Sequence, residues 1–277
     1  MTIIEHNVAE HYGDADLLAR IIAGLAACDI DPEQLQPDDL APVEEFHIGG
    51  RKATAYAVAR MALGEGQHVL DVGCGIGGTA RYVASHTGCK VTGVDLTPEY
   101  ISVANKLTKQ TGLDGKVNFE VASALAMPFE DRSFDAAITI HVAMNISERA
   151  ALYREIARVM KPTALLGIFD VMRKSDEGLS FPVPWAQSES TSYLTSADEM
   201  CSLLEEAGFA VQEIEDRTDF AVEFFKESMA ALASGSRPLG IHLVMGMDAP
   251  EKMKNVLKNI ETGRIAPVQM IAMRSEN

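Results

Sequence analysis

The chain has 277 residues, 47% of them hydrophobic and 23% charged, enough apolar material for one large domain or two small ones and too much for a disordered chain. Its 24 Lys and Arg stand against 40 Asp and Glu, a formal charge of −16, which repels phosphate backbones and anionic bilayers and argues against nucleic acid as a partner. Cys28, Cys74, Cys89 and Cys201 are scattered without a Cys-x-x-Cys pair, so neither a disulfide framework nor a structural zinc site is indicated, and a reducing cytoplasm is expected.

The opening MTIIEHNVAEHYGDAD carries acids and histidines where a signal peptide needs a basic start and an apolar run. No stretch of about 18 apolar residues follows, so membrane insertion is not expected. Residues 8–27 place Leu17, Leu18, Ile21, Ile22 and Leu25 at helical spacing, and the acidic, proline-bearing DIDPEQLQPDDLAP then reads as a loop. After Gly49 and Gly50, the Ala-rich residues 51–62 predict a second helix, stopped by Gly64 and Gly66.

From His68 an apolar run, HVLDVG, leads through a glycine-rich turn into the helical TARYVASHTG and a second apolar run, KVTGVDL, which together predict a βαβ unit. The rhythm continues with a helix over 98–111, strands over 117–122 and 134–143, the helix ERAALYREIARVM and the strand ALLGIFDVM. Strands alternating with helices mean an α/β fold, a mostly parallel sheet covered on both faces. Beyond Asp170 the segment to Leu194 reads as a long loop, with two prolines and Trp185. Residues 196–207 follow as a helix, with Ser196 and Glu199 at capping-box spacing. AVQEIEDRT is the next predicted strand, residues 221–262 hold two Met-rich helical stretches, and APVQMIAMR closes as a last strand.

VLDVGCGIGG holds Gly73-x-Gly75-x-x-Gly78 after a strand and before a helix, where glycines let the backbone turn tightly and approach a ligand. Taken alone this also fits a nicotinamide-dependent oxidoreductase. Asp71, two residues before the first glycine, attracts an ammonium and repels a pyrophosphate, which favours a cofactor with a cationic amino acid moiety. Asp95, 22 residues after Gly73, can accept from both ribose hydroxyls, a feature that either cofactor would use.

In order and spacing, VLDVGCGIGG, VTGVDLTPEYISVA, SALAMPFEDRSFDAAI and IHVAMNI resemble the successive motifs of class I S-adenosylmethionine-dependent methyltransferases, over residues 69–170. The resemblance implies a Rossmann-like, seven-stranded, mostly parallel sheet with an antiparallel last strand, and S-adenosylmethionine lying across the strand C-terminal ends. It implies that Gly73 and Gly75 pass under the methionyl part, Asp71 holds its amino group, and Asp95 with Leu96 holds ribose and adenine. Ser123, Ala124 and Leu125 match the adenine segment, with Ser123 where the family usually has Asp. His141 ends the fourth strand and is open to three roles, a cofactor contact, a base or a satisfied structural histidine. No metal is implied.

EHYGDAD (10–16) and EEFHIGGRKAT (44–54) resemble the entry segments of small-molecule methyltransferases acting on phosphoethanolamine, on sarcosine or dimethylglycine, and on sterol- or tocopherol-type acceptors. That implies an entry lid over residues 1–60, in which Tyr12 closes over the sulfonium and His47 and Gly49 line the cofactor. Residues 61–277 form the methyltransferase domain, with substrate-cover insertions at about 171–195 and 219–263. The latter's methionines also suit a contact between two copies of the chain. Ile146 stands where phosphoethanolamine enzymes carry a catalytic histidine, which weakens a phosphobase substrate. SFPVPWAQ and IAPVQMIA are similar to segments of bacterial sarcosine and dimethylglycine N-methyltransferases. A small amine is therefore the first expected acceptor, with Trp185 either facing its ammonium or plugging a sheet edge, and Arg173, Arg217 or Arg237 on its carboxylate. The alternative is C- or O-methylation of a lipophilic quinol or sterol-like acceptor. A non-catalytic cofactor-binding scaffold is the reading outside enzymes.

Overall fold

The computed structural model describes residues 16–233, 238–246 and 248–276. Tyr12 and Arg237, and residues 8–15 of the first expected helix, lie outside them. One sheet of seven strands organises the chain: β1 (His68–Val72), β2 (Lys90–Asp95), β3 (Val117–Val121), β4 (Phe134–Ile140), β5 (Met160–Arg173), β6 (Phe209–Asp216) and β7 (Ile265–Arg274). Their spatial order is β3-β2-β1-β4-β5-β7-β6. The first five pair in parallel, while β7 runs antiparallel between β5 and β6. The α/β, Rossmann-like architecture with an antiparallel last strand is thus the one observed.

Alternation along the strands builds a core on each face. Leu70 and Val72 of β1 point to a face shared with Phe134, Leu152, Tyr153 and Ile156, under α6 (Arg149–Val159) and α7 (Ala197–Glu206). Val69 points to the other, with Val91, Ile138, Ala80 and Val83, under α3 (Gly50–Ala59) and α4 (Gly78–Thr87). Ahead of these come α1 (Leu17–Ala26) and the short α2 (Ala41–Glu44). Leu17, Ile21, Leu25 and Val43 of this entry segment pack on Tyr100 and Leu107 of α5 (Pro98–Gln110). A fourth cluster joins Val183 and Trp185 to Phe225 of α8 (Thr218–Ala233) and to Val256 and Ile260 of α10 (Ala249–Glu261), with the short α9 (His242–Met245) between those helices.

Local chemistry sets the element ends. Ser196 accepts the Glu199 N–H at 3.2 Å while Glu199 accepts the Ser196 N–H at 2.7 Å, so α7 begins with the expected capping box. Several boundaries differ from expectation: β5 begins at Met160 rather than Ala164, and the expected loop holds a 3-10 turn at Pro37–Leu40 and the start of α2. β4 stops at Ile140 rather than residue 143, because His141 takes a left-handed φ of +55° and Ala143–Asn145 coil into a 3-10 turn. Likewise α3 ends at Ala59, ahead of Ala62 with φ +47°. Among the described residues no helix is long and apolar enough to cross a membrane.

Candidate active site

The sheet order reverses between β1 and β4, and at such a switch point the loops leaving neighbouring strands part in opposite directions and open a cleft. Into this cleft the turn after β1 brings Gly73 and Gly75 at φ +74° and +53°, which glycine adopts without the Cβ penalty. The two glycines serve different ends. A Cβ on Gly73 would stand 2.3 Å from Val142 Cγ2, whereas one on Gly75 would meet nothing within 4 Å. Gly73 thus lets β1 and β4 close together, and Gly75 presents bare backbone to the cleft.

Asp71, one residue before the end of β1, is 2% exposed, with Oδ2 buried and unpartnered. Burial, reinforced by Asp95, pushes its pKa up to about 7 against the opposing Ala80 N–H. Such a group gains most from an approaching cation. Asp95, at the end of β2, accepts the Gly75 N–H on Oδ2 and the Thr97 N–H on Oδ1, both at 2.9 Å. Burial raises its pKa while those N–H groups lower it. Its carboxylate is held at the lip with a lone pair on each oxygen for a diol. Leu96, Ser123 and Ala124 continue the same wall, with Ser123 Oγ accepting the Leu125 N–H at 3.1 Å.

Across the cleft, His141 donates its backbone N–H to Phe169 O at 2.8 Å, which fixes the ring 5.3 Å from that of Phe169 and 5.8 Å from that of His47. Its Nε2 is buried without a partner, and burial, then His47, lower its pKa well below the usual imidazole value. His47 Nε2 lies 3.2 Å from Gly50 O, 3.1 Å from Thr54 Oγ1 and 3.4 Å from Glu45 Oε2. Burial brings its pKa down to about 4, partly offset by the Gly50 carbonyl. Both rings are neutral at physiological pH.

His47, Asp71, Gly73, Gly75, Asp95, Leu96, Ser123, Ala124 and His141 therefore line one cleft. Gly49 does not: it caps α3 at φ +89°, where a Cβ would meet Phe220 Cε1 at 2.3 Å. Trp185 is packed at 5% exposure, gives its Nε1–H to Ser192 Oγ at 2.9 Å, and also lines the cleft. Arg173 is engaged by Glu199 and Asp176, and Arg217 by Glu215 and the rings of Tyr56 and Phe220; neither lines it. Sequence reasoning missed Met144 and Pro184 in the cleft and the Glu45–Thr54 pair behind His47. For that pair a signal existed, since EEFH sets an acid two residues from His47.

An unpaired buried carboxylate oxygen suits an ammonium, the open backbone at Gly75 suits a chain lying against it, and the oriented Asp95 suits a ribose diol. The residues present thus fit S-adenosylmethionine. The model of a methyltransferase domain family matches residues 70–168. An O-methyltransferase of Pyrenophora dematioidea is 34% identical over 206 residues, covering 73% of this chain and 74% of that protein. A sterol 24-C-methyltransferase of Schizosaccharomyces pombe (strain 972 / ATCC 24843) is 35% identical over 127 residues, 46% of this chain and 34% of the relative. Among solved structures, a candidate sarcosine dimethylglycine methyltransferase from Galdieria sulphuraria superposes with a TM-score of 0.67 at 20% identity, covering 82% of this chain and 85% of that one, and so shares the fold. With the cleft built as the cofactor requires and these likenesses across it, the chain belongs to the class I S-adenosylmethionine-dependent methyltransferases.

Proposed function

We propose that the enzyme methylates carbon or oxygen on a lipophilic small molecule, of quinol or sterol-like character. One observation carries this reading. On the β4–β5 side Met144, Ile146, Pro184 and Trp185 line the cleft beside Asn145 and Glu148, and no Lys or Arg stands among its described lining residues. An apolar acceptor gains roughly 25 cal/mol for each Å² it buries there. A carboxylate or phosphate entering the same space leaves water without a cation to receive it. The O-methyltransferase and sterol 24-C-methyltransferase relatives support transfer to oxygen or carbon, and the latter acts on a sterol.

The bound cofactor supplies a methyl group on a sulfonium centre. The protein's part is to hold the acceptor in line and keep water out. Asp71, Gly75 and Asp95 fix the donor end, His141 stands beside it at the tip of β4, and the apolar wall with the packed Trp185 shapes the acceptor end. Tyr12 would complete the closure. The scattered cysteines favour a reducing, cytoplasmic setting.

A small amine is the second reading, favoured by an aromatic residue, Trp185, in the cleft lining, since such a ring attracts a quaternising ammonium. Transfer of labelled methyl to a panel of quinols, phenolic steroids, sarcosine, dimethylglycine and phosphoethanolamine separates the two. Label in the lipophilic products supports the proposal. Label confined to a betaine-like product overturns it and directs attention to a carboxylate partner outside the described residues.

A further inference from the structure

Two histidines with ring centroids 5.8 Å apart line the cleft, and the surroundings of one dictate its tautomer. His47 Nε2 faces the carbonyl oxygen of Gly50 at 3.2 Å, and a carbonyl can only accept, so Nε2 carries the ring hydrogen. Thr54 Oγ1, 3.1 Å from the same nitrogen, gives its own hydrogen to Glu45 Oε2 at 2.6 Å and so accepts as well. The lone pair is thereby placed on Nδ1, in a ring that lines the cleft. His141 has no such frame: its Nε2 is buried without a partner and its ring packs on Phe169.

We propose that His47 is the catalytic base, receiving on Nδ1 the proton of a hydroxyl acceptor as the methyl group is transferred. This rests on the lipophilic-acceptor reading and narrows it to acceptors bearing an O–H group. The acceptor oxygen uses a lone pair to form the O–CH₃ bond, the methyl–sulfur bond breaks with its electrons going to sulfur, and the hydroxyl proton passes to Nδ1. The reacting groups carry one positive charge throughout, on the sulfonium before transfer and on the imidazolium after it, so the His47 ring becomes charged only as the sulfonium charge is lost. Once charged, the ring has Glu45 Oε2 3.4 Å from its Nε2.

The groups facing His47 are consistent with this task. From the entry segment and α3 come Glu45, Thr54 and Arg51, whose Nη1 lies 2.6 Å from Glu45 Oε1. From the ends of β4 and β5 come His141 and Phe169. Burial keeps the empty-site ring neutral down to about pH 4, so its accepting form is fully populated at working pH. Paired with Arg51, Glu45 adds no net charge before transfer, yet stands ready to stabilise the imidazolium.

The test uses the wild type with the His47→Phe, His47→Gln, Thr54→Val and His141→Phe variants. It reads single-turnover transfer to a lipophilic phenol, S-adenosylhomocysteine affinity by calorimetry, and histidine tautomers by long-range ¹H–¹⁵N NMR. Both His47 variants are expected to lose transfer at saturating cofactor by about 10²- to 10⁴-fold, well beyond any loss of S-adenosylhomocysteine affinity. The NMR spectrum should show His47 protonated on Nε2 alone and neutral at pH 6, in Thr54→Val as in the wild type, because the Gly50 carbonyl remains. Phenol methylation that survives in both His47 variants overturns the assignment and leaves the lipophilic reading intact, as does a loss that moves to His141→Phe. An Nδ1–H tautomer in the wild type, or a cofactor affinity that falls in step with the rate, also overturns it. A wild type that methylates amines and no lipophilic acceptor sinks both readings together.

Discussion

At Asp71 ligand binding and folding stability pull in opposite directions. Its carboxyl is pushed up to about 7, chiefly by burial and then by Asp95, whereas an unfolded aspartate titrates near 3.9. Between those values the folded, cofactor-free protein holds a proton that the unfolded chain releases. Stability from this group is therefore full below about pH 4 and lost as pH rises through 7. Asp170, raised to about 6 by burial against the opposing Arg149, acts in the same sense. Asp71→Asn should accordingly raise the urea midpoint of the cofactor-free protein at pH 8 and shrink its fall between pH 6 and pH 8. The same substitution should weaken S-adenosylmethionine binding at least about tenfold, the scale of one charge-assisted bond. Calorimetry at pH 6 in buffers of different ionisation enthalpy should show a proton leaving on binding in the wild type and none in the variant. Equal proton release in both would mean that some other group meets the ammonium.

At the scale of elements, the glycine turn separates what folding needs from what binding needs. Gly73→Ala drives a Cβ into Val142 at the β1–β4 seam, while Gly75→Ala adds one to open cleft. Both pay the left-handed backbone penalty of about 1–2 kcal/mol, but only Gly73→Ala adds a clash with a neighbour fixed by the post-β4 turn. Denaturant melts should thus place Gly73→Ala well below Gly75→Ala in stability, with cofactor binding lost in Gly75→Ala although it remains folded. Ser196→Ala serves as the control: loss of its capping box should cost about 1 kcal/mol and leave cofactor affinity unchanged. Similar stability for the two glycine variants would contradict the division of labour. These elements were legible because each rests on local chemistry: glycine spacing, a capping pair, apolar runs of strand length. The end of β4 was not. His141 takes its left-handed φ under the hydrogen bond to Phe169 O across the sheet, and nothing in IHVAMNI announces a partner 28 residues away.

Across the whole molecule, the entry segment is tied to the cofactor turn by charges that a sequence presents as surface residues. Glu44 reads as one of two acids before a phenylalanine, and Arg81 as a polar position on an amphipathic helix. In the fold both side chains are at 0% exposure, with Arg81 Nη2 2.5 Å from Glu44 Oε2. The same guanidinium donates to Ile76 O at 2.7 Å, Ala104 O at 3.3 Å and Thr108 Oγ1 at 2.9 Å. One side chain of α4 therefore joins the entry segment, the glycine turn and α5. Burial raises the Glu44 pKa and Arg81 is the largest opposing influence, so the carboxylate depends on that partner even with Arg51 Nη2 2.9 Å from its other oxygen. Removing one member of a buried pair strands the other, and Arg81→Met should cost about 3–5 kcal/mol. Glu44→Leu added to it removes the stranded charge and should restore a large part of that loss, a coupling that a double-mutant cycle in urea measures directly. Because Ile76 O loses its donor in either Arg81 variant, cofactor affinity should stay reduced in the double variant after stability has returned. Recovery of both together would show that Arg81 acts on the turn only through the stability of the fold. Strictly additive losses would show that Glu44 and Arg81 are not a coupled pair.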